Sequence, residues 1–198
     1  MKHVVVICGA PGTGKTTVRD YLTRRYGIQK ILTHTTRAKR AHEKDGVDYY
    51  FETDQTFFSH DFLEHVEYDG HKYGSSVEGL RKAWAASEWA VIVLDTKGAI
   101  SYLHKMPVET EILYLETKDR AKLAQRLALR GDKSHLIEKR LASVEAQRDL
   151  QLPQELQGHV QVLVNDDWEK TQHFLDDWLH TLRCQEADDL SVEKKEKH

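Results

Sequence analysis

Residues 4–16 of the chain read Val4-Val5-Val6-Ile7-Cys8-Gly9-Ala10-Pro11-Gly12-Thr13-Gly14-Lys15-Thr16. The apolar and mostly β-branched opening predicts a buried parallel strand, and the residues after the loop favour a helix. Between them stands the complete spacing GxxxxGK(S/T), whose glycines allow a tight turn that directs backbone N–H groups at phosphate oxygens. The stretch therefore predicts a nucleoside triphosphate site in an α/β protein, rather than an ordinary glycine-rich turn.

Each part of this loop has an expected task. Lys15 is expected to reach the β- and γ-phosphates, and the Thr16 hydroxyl is expected to bind Mg²⁺. The positive N-terminal end of the following helix adds to the attraction for phosphate. The predicted ATP-binding residues of this segment are Gly9, Ala10, Pro11, Gly12, Thr13, Gly14, Lys15, Thr16 and Thr17.

Composition excludes several other classes of protein. The 198 residues carry a formal charge of −3 from 29 basic and 32 acidic side chains, which argues against wholesale nucleic-acid binding. The longest apolar runs, Val4 to Cys8 and Ala90 to Leu94, are too short to cross a membrane. No signal-peptide pattern opens the chain, and its two cysteines show no CxxC spacing. We therefore expect a cytoplasmic protein that binds neither nucleic acid nor membrane.

Strand and helix patterns alternate along most of the chain. This alternation predicts a parallel β-sheet flanked by helices. Predicted strands lie at 4–8, 28–33, 90–94, 111–115 and 160–164, and predicted helices at 14–26, 75–87, 98–106, 118–131, 135–150 and 168–182. Residues 34–77 are polar and aromatic with short β-like runs and a turn at Asp69-Gly70, which predicts an inserted β-rich lobe. The charged residues 184–198 are predicted to be a disordered tail.

A basic cluster follows the second predicted strand. Arg37 and Arg40 stand beside the hydroxyls of Thr35 and Thr36. Guanidinium and hydroxyl donors so close together suit a dianionic phosphate. The same residues considered alone are more typical of a solvated basic loop.

Longer motifs give this cluster a context. The run Thr33 to Arg40, followed by Glu43 to Phe51, resembles the SHTTRxxRxxExDGxDYxF signature of guanylate kinases. Further segments resemble other motifs of that family, in the same order and from residue 4 to about residue 180: Phe62-Leu63-Glu64 its FIE, Gly70 to Ser75 its GxxYGT/S, Leu94 to Ala99 its DxQGA, Arg126 to Arg140 its RLxxRG lid, and Val164 to Asp167 its VNDD.

The resemblance implies an architecture and a reaction. It implies one P-loop kinase domain over residues 1–183, with a core at 1–33, 78–125 and 141–183, a nucleoside monophosphate (NMP) lobe at 34–77 and a lid at 126–140. The implied reaction is ATP + GMP giving ADP + GDP, with Mg²⁺ as cofactor and ATP as co-substrate. The implied partners are ATP and GMP or dGMP, bound to a monomer or homodimer.

The resemblance also implies roles for single residues. They are the following: Arg37, Arg40, Tyr49 and Tyr73 for the phosphate of GMP; Thr33, Glu64, Ser75 and Asp95 for the guanine; Lys15, Arg126, Arg130 and Arg140 for catalysis; and Asn165 near the adenine of ATP. Chemistry agrees for Glu64, because guanine presents N1–H and N2–H side by side to a carboxylate and adenine does not. Asp95 stays open between the acceptor base and Mg²⁺ bound through water.

No general base and no further metal are predicted. A nucleoside monophosphate has a second pKa of about 6, so its oxygen is already a nucleophile at neutral pH. Five of the twelve histidines fall in the lobe, at positions 34, 42, 60, 65 and 71, but their spacing matches no metal-binding motif. A metal cluster in the lobe is therefore not expected.

Three positions depart from the family pattern. Thr33 replaces the usual serine, Val93 stands where an acid is common, and Lys97 replaces the usual glutamine. These departures leave two other readings open: a kinase of another nucleotide or small phosphorylated acceptor, and a non-catalytic binding module of the same fold.

Overall fold

The computed structural model describes the backbone of residues 1–68, 70–119, 121–129 and 134–196, and their side chains except at 68, 134–136, 140 and 186–196. The strands are β1 (His3–Cys8), β2 (Gln29–Lys30), β3 (His34–Thr35), β4 (Tyr50–Phe51), β5 (Phe62–Tyr68), β6 (His71–Ser76), β7 (Trp89–Val93), β8 (Thr110–Glu116) and β9 (Val160–Val164). The helices are α1 (Lys15–Tyr26), α2 (Asp54–Phe57), α3 (Val77–Ala86), α4 (Thr96–Lys105), α5 (Ala121–Leu129), α6 (Ser134–Leu141), α7 (Val144–Asp149) and α8 (Trp168–Glu196), with a 3-10 turn at Gln154–Leu156.

Five strands form the central sheet in the order β2-β7-β1-β8-β9, and every pair is parallel. The predicted fold class, a parallel sheet flanked by helices, is therefore confirmed. In such a sheet the carboxyl ends of all strands meet at one edge. The loop after β1 and Asp95 after β7 consequently lie at the same edge.

The side chains of β1 alternate between two apolar layers. Val4 and Val6 pack on one face with Tyr102, whereas Val5 and Ile7 pack on the other, and all of these side chains are fully buried. The second layer holds Val18 and Leu22 of α1 together with Leu175 and Leu179 of α8. Burial on both faces explains why the β1 sequence is continuously apolar.

The inserted lobe contains a four-stranded sheet in the order β4-β3-β6-β5. Its hairpin between β5 and β6 pairs Tyr68 with His71, and Gly70 has a φ of 74°, which a glycine adopts at little cost. Asp69, the other predicted turn residue, lies outside the described residues. The register shifts between Phe62 and Glu64, and this shift sets Glu64 opposite Ser75.

Two predicted elements differ from the structure in extent. The strand predicted at 28–33 pairs with the central sheet only at Gln29–Lys30, because the chain then leaves for the lobe, where β3 pairs with β6. The helix predicted at 135–150 is divided into α6 and α7, because the Ser143 side chain accepts a hydrogen bond from the Ala146 N–H and so starts a new helix.

The C-terminal segment differs in kind from its prediction. Helix α8 continues to Glu196, whereas residues 184–198 were expected to be disordered. The segment contains neither glycine nor proline, and it extends a helix already nucleated and docked through Leu175 and Leu179. None of the described helices, α8 included, is both long enough and apolar enough to cross a membrane.

Candidate functional site

The loop after β1 has a backbone that only glycine fits at two positions. Gly9 has a φ of 127° and Gly14 a φ of 95°. A Cβ atom on Gly9 would lie 2.2 Å from the Leu115 carbonyl oxygen, and one on Gly14 would lie 2.3 Å from Asn165 Nδ2. The glycine spacing is thus required by both backbone conformation and close packing.

Lys15 begins α1 and bends back over this loop. Its Nζ donates hydrogen bonds to the Gly9 and Ala10 carbonyl oxygens, the latter at 2.9 Å. Thr13 Oγ1 donates to the same Ala10 oxygen at 2.8 Å. The ammonium group is thereby held at the loop, and Lys15 lines the cavity between the loop and the lobe that is described below.

One cavity, of about 460 Å³, lies on the far side of the loop. It is lined by Gly12, Gly14, Thr16, Thr17, Arg126 and Asn165, among others. Arg126 Nη2 donates to the Asn165 carbonyl oxygen at 2.7 Å, but its Nη1 is buried and has no hydrogen-bond partner among the described residues. A buried cationic donor without a partner is a place for an anion, so this cavity suits the phosphates of a nucleotide.

Asn165 supports the loop from below. Its Nδ2 donates to the Thr13 carbonyl oxygen at 2.8 Å, and its Oδ1 accepts from Thr171 Oγ1 at 2.9 Å. The residue is buried, and both polar atoms of its side chain are engaged within the protein. It lies next to the phosphate loop and lines the same 460 Å³ cavity, which we call the donor cavity; the cavity described below, between the loop and the lobe, is the acceptor cavity.

For a metal ion, the oxygen ligands that line the 460 Å³ cavity are the hydroxyls of Thr16 and Thr17 and the carboxylates of Asp20 and Asp166. Val93 offers no oxygen at the end of β7. Asp95 Oδ1 accepts from the Gly98 N–H at 2.7 Å and caps α4, and its Oδ2 accepts from Arg148 Nη2 at 2.8 Å. Both oxygens of Asp95 are thus already engaged.

A second cavity, of about 250 Å³, separates the loop from the lobe. Seven of the predicted site residues line it: Pro11, Lys15, Thr33, Tyr49, Glu64, Tyr73 and Asp95. They come from six separate segments of the chain, and the parallel sheet and the lobe bring them together. Ser75 lies behind Glu64 and is fully buried.

Glu64 is the buried carboxylate of this cavity, with 8% of its surface exposed. Its Oε1 accepts from the Ser75 N–H at 2.9 Å and from Ser75 Oγ at 2.8 Å, while Tyr102 OH donates to Ser75 Oγ at 2.9 Å. Burial raises the pKa of Glu64 to about 7, against the opposing effect of the Ser75 hydrogen bonds. Within the described part of the chain, Oε2 makes no hydrogen bond and is the atom left for a ligand.

Arg37 is held by a carboxylate that sequence reasoning did not single out. Its Nη1 and Nη2 donate to Glu43 Oε2 and Oε1 at 3.0 and 2.8 Å. The hydrogen bonds from Arg37 hold the pKa of Glu43 at about 2, and the Arg40 N–H also donates to Glu43 at 2.9 Å. Glu43 therefore orients the arginine loop, whereas the Arg40 side chain itself is exposed.

Two tyrosines stand beside this arginine. The Arg37 guanidinium carbon lies 5.5 Å from the Tyr49 ring centroid, and the Tyr49 and Tyr73 rings meet edge to face with centroids 6.4 Å apart. Burial raises the pKa of Tyr49, so its hydroxyl stays a donor at neutral pH. This wall of the cavity presents donors suited to phosphate.

A second group that sequence reasoning missed joins α7 to the start of α4. Arg148 Nε donates to Asp149 Oδ1 at 2.9 Å, Arg148 Nη2 donates to Asp95, and Thr96 Oγ1 donates to Asp149 Oδ1 at 2.6 Å. The sequence offered only one signal, two adjacent charges at the end of a predicted helix. Arg130 lies outside the described residues, as does the side chain of Arg140, so their predicted roles stay predictions.

Comparison with known proteins gives a consistent result. The family model described as guanylate kinase matches residues 1–182. The chain is 33% identical over 188 residues to the guanylate kinase of Neisseria gonorrhoeae, covering 92% of this chain and 87% of that protein. It is 35% identical over 148 residues to that of Thermus thermophilus, covering 72% and 67%. The crystal structure of guanylate kinase from Anaplasma phagocytophilum superimposes with a TM-score of 0.61 at 23% identity, covering 91% of this chain and 85% of that one.

Proposed function

Because the chain belongs to the guanylate kinase family, we propose that its two cavities bind ATP and GMP and that it transfers the γ-phosphate of ATP to GMP. The observation that carries the assignment is the buried Glu64–Ser75 pair, which faces Lys15 across one cavity. It supplies a carboxylate for a base with adjacent N–H donors, within reach of a phosphate-binding loop. A non-catalytic module would have no use for both features.

Glu64 is the residue we assign to the guanine. Oε1 is occupied by Ser75, so Oε2 accepts from N1–H or N2–H of the base, and Thr33 at the rim is a hydroxyl suited to O6. Adenine has no matching donor pair and would leave the buried carboxylate unpaired. We assign Asp95 to the same base, since its carboxylate lies in this cavity and not in the donor cavity.

The acceptor phosphate is assigned to Arg37, Arg40, Tyr49 and Tyr73. Glu43 orients the Arg37 guanidinium, and the two tyrosines supply hydroxyl donors on the adjacent wall. The exposed Arg40 lies near the mouth of the lobe, where it adds positive charge. No general base is needed, because the dianionic phosphate is itself the nucleophile.

The donor phosphates are assigned to the loop at 9–16. The backbone N–H groups and the N-terminus of α1 hold the chain of phosphates. Lys15 lines the acceptor cavity and the next residue, Thr16, lines the donor cavity, so the lysine stands where the transferred group passes. Arg126 lines the donor cavity, where its guanidinium neutralises charge that develops in the transition state. Thr16 would help to hold Mg²⁺, which would supply positive charge against the phosphates when bound. Asn165 acts through the loop, because its amide is committed to Thr13 and Thr171.

The same assignment divides the chain. We propose the predicted division into a core, an NMP lobe at 34–77 and a lid at 126–140, in a protein that acts as a monomer or homodimer without nucleic acid. A reaction that needs ATP and a nucleoside monophosphate also points to the cytoplasm.

The test is a coupled assay of ADP formation with Mg²⁺-ATP and each of GMP, dGMP, AMP, CMP and UMP. We expect GMP to be used far better than AMP, Lys15→Ala to abolish turnover, and Glu64→Gln to raise the KM for GMP without raising that for ATP. Glu67→Gln, an exposed glutamate on the same strand, is the matched control and should behave as wild type. Equal rates on AMP would refute the guanine assignment, and no turnover on any monophosphate would favour a binding module.

A further inference from the structure

Three potential metal ligands meet in the lobe, and none of them lines the donor or the acceptor cavity. His34 Nδ1 and His60 Nε2 each lie 2.9 Å from the same oxygen, Glu52 Oε1. The three ligand atoms all lie within 4.8 Å of one another. We propose that His34, Glu52 and His60 form a zinc site that cross-links three segments of the NMP lobe.

The geometry is close to that of a zinc site. Zinc binds imidazole nitrogen and carboxylate oxygen at about 2.0–2.2 Å, so tetrahedral ligand atoms lie about 3.3 Å apart. The observed separations of 2.9 Å between each histidine nitrogen and Glu52 Oε1 need only a few tenths of an ångström of expansion. A single zinc ion would replace the two hydrogen bonds that His34 and His60 make with Glu52 Oε1, and all three side chains would bind it.

The surroundings supply the outer hydrogen bonds that metal ligands require. His34 Nε2, the nitrogen not used for the metal, lies 2.9 Å from Ser76 Oγ, and this contact fixes the ring. Glu52 Oε2 accepts from Thr56 Oγ1 at 2.6 Å, which leaves Oε1 as the single ligand atom. Such partners orient ligands and raise metal affinity.

Burial and packing favour zinc with one further ligand. The His34 side chain is 5% exposed and packs against the Tyr50 ring at 4.8 Å and the Phe62 ring at 5.5 Å. The His60 side chain is 28% exposed and that of Glu52 is 14% exposed, so solvent can reach the cluster. Three protein ligands and one water complete a four-coordinate site, whereas Mg²⁺ prefers six oxygen ligands.

The ion would tie together segments with little regular structure of their own. His34 belongs to the two-residue strand β3, Glu52 follows the two-residue strand β4, and His60 follows the single turn of α2. His34 also precedes the loop that carries Arg37. The site therefore stabilises the lobe and steadies the strand that leads to the acceptor residues, and it takes no part in phosphoryl transfer. This role is independent of which monophosphate is the acceptor.

The test measures metal binding directly. Tag-free protein carrying Cys184→Ala is dialysed against chelator and titrated with zinc by calorimetry. The substitution is needed because the exposed Cys184 Sγ lies 3.6 Å from His180 Nε2 and offers zinc a second place to bind. We expect one zinc ion per chain, a higher Tm with zinc than with chelator, and visible absorption of four-coordinate cobalt when Co²⁺ replaces zinc.

Variants identify the ligands. In the Cys184→Ala background, His60→Ala and Glu52→Gln are each expected to weaken zinc binding at least about tenfold and to remove the rise in Tm. His65→Ala, an exposed histidine in the same lobe, is the control and should leave both unchanged. Far-UV circular dichroism establishes that each variant is folded. Absence of stoichiometric zinc binding in the parent, or binding that survives both ligand substitutions, would overturn the proposal.

Discussion

At the residue scale, Glu64 shows how specificity opposes stability. Its burial raises its pKa above the ordinary value of 4.5 to about 7. A carboxyl whose pKa is higher in the folded than in the unfolded state stabilises the fold fully below pH 4.5, and this contribution is lost as the pH rises through 7. The folded protein thus maintains a buried charge at alkaline pH, and under the proposed assignment this charge accepts the guanine N–H donors.

The first prediction concerns pH. We expect the dissociation constant for GMP to rise about tenfold between pH 8 and pH 6, because only about a tenth of Glu64 stays ionised one unit below a pKa of about 7. Calorimetric titration with GMP at several pH values measures this dissociation constant. The phosphate of GMP also titrates, with a pKa of about 6. Glu64→Gln corrects for that contribution, and an equally steep pH dependence in this variant would contradict the assignment.

Arg148 is a second residue whose effect is indirect. It donates to Asp95 and to the buried Asp149, so it neutralises two carboxylates behind the acceptor cavity. Removing it leaves both without their cation, which destabilises them and frees Asp95 to turn.

The second prediction is that Arg148→Ala raises the KM for GMP about tenfold, equivalent to about 1.4 kcal/mol, and leaves the KM for ATP unchanged. Steady-state kinetics with each substrate varied in turn provides the measurement. Arg148→Lys should restore part of the loss, because lysine keeps the charge but not the forked geometry. Arg24→Ala, at an arginine that is 82% exposed, is the control. Equal increases in both KM values would indicate general misfolding.

At the element scale, α8 combines two different parts. Its first half is amphipathic and closes one face of the sheet with the fully buried Leu175 and Leu179. The apolar contacts that its described side chains make with the core end at Leu182. We expect the second half to extend the helix by local propensity, which the next prediction tests.

The third prediction separates these halves. Leu179→Ala should lower the free energy of unfolding by about 2–5 kcal/mol through loss of burial and creation of a cavity. Deletion of residues 186–198 should change it by less than about 0.5 kcal/mol, as should Leu129→Ala at a leucine that is 88% exposed. Chemical denaturation measures the free energy of unfolding of all three variants. A deletion as damaging as Leu179→Ala would show that the end of α8 packs against the domain.

At the scale of the whole molecule, the central sheet joins two half-sites. The loop at 9–16 leaves β1 and faces the donor cavity, whereas Glu64 and Arg37 belong to the lobe. Lys15 lines the cavity beside the lobe, and the next residue, Thr16, lines the donor cavity. Under the proposed assignment, the two halves bind their ligands through different residues but act on one phosphate.

The fourth prediction uses stabilisation by ligand. A ligand at a hundredfold excess over its dissociation constant stabilises the folded state by about 2.7 kcal/mol, which thermal unfolding detects as a higher Tm. Lys15→Ala should keep the rise in Tm with GMP and lose most of the rise with Mg²⁺-ATP. Glu64→Gln should do the reverse. If either variant lost both responses, the division into donor and acceptor halves would be wrong.

Local patterns determined much of this protein. The spacing from Gly9 to Thr16 predicts the phosphate loop, because its chemistry depends on consecutive backbone units. The alternating patterns predict the parallel sheet, and the longer motifs indicated the family to which the chain belongs. The helix at residues 184–196 was missed, because charge content indicates poor burial but not whether a docked helix continues.

Contacts between distant segments were decided only by the tertiary structure. The hairpin register set Glu64 against Ser75, the return of α7 set Arg148 against Asp95, and the parallel pairing of β3 with β4 brought His34 to Glu52. No spacing rule encodes such pairs, because they depend on the register and crossing of separate elements. The sequence by itself therefore determined which chemical groups the site contains, whereas the fold decided which of them neutralise, orient and shield one another.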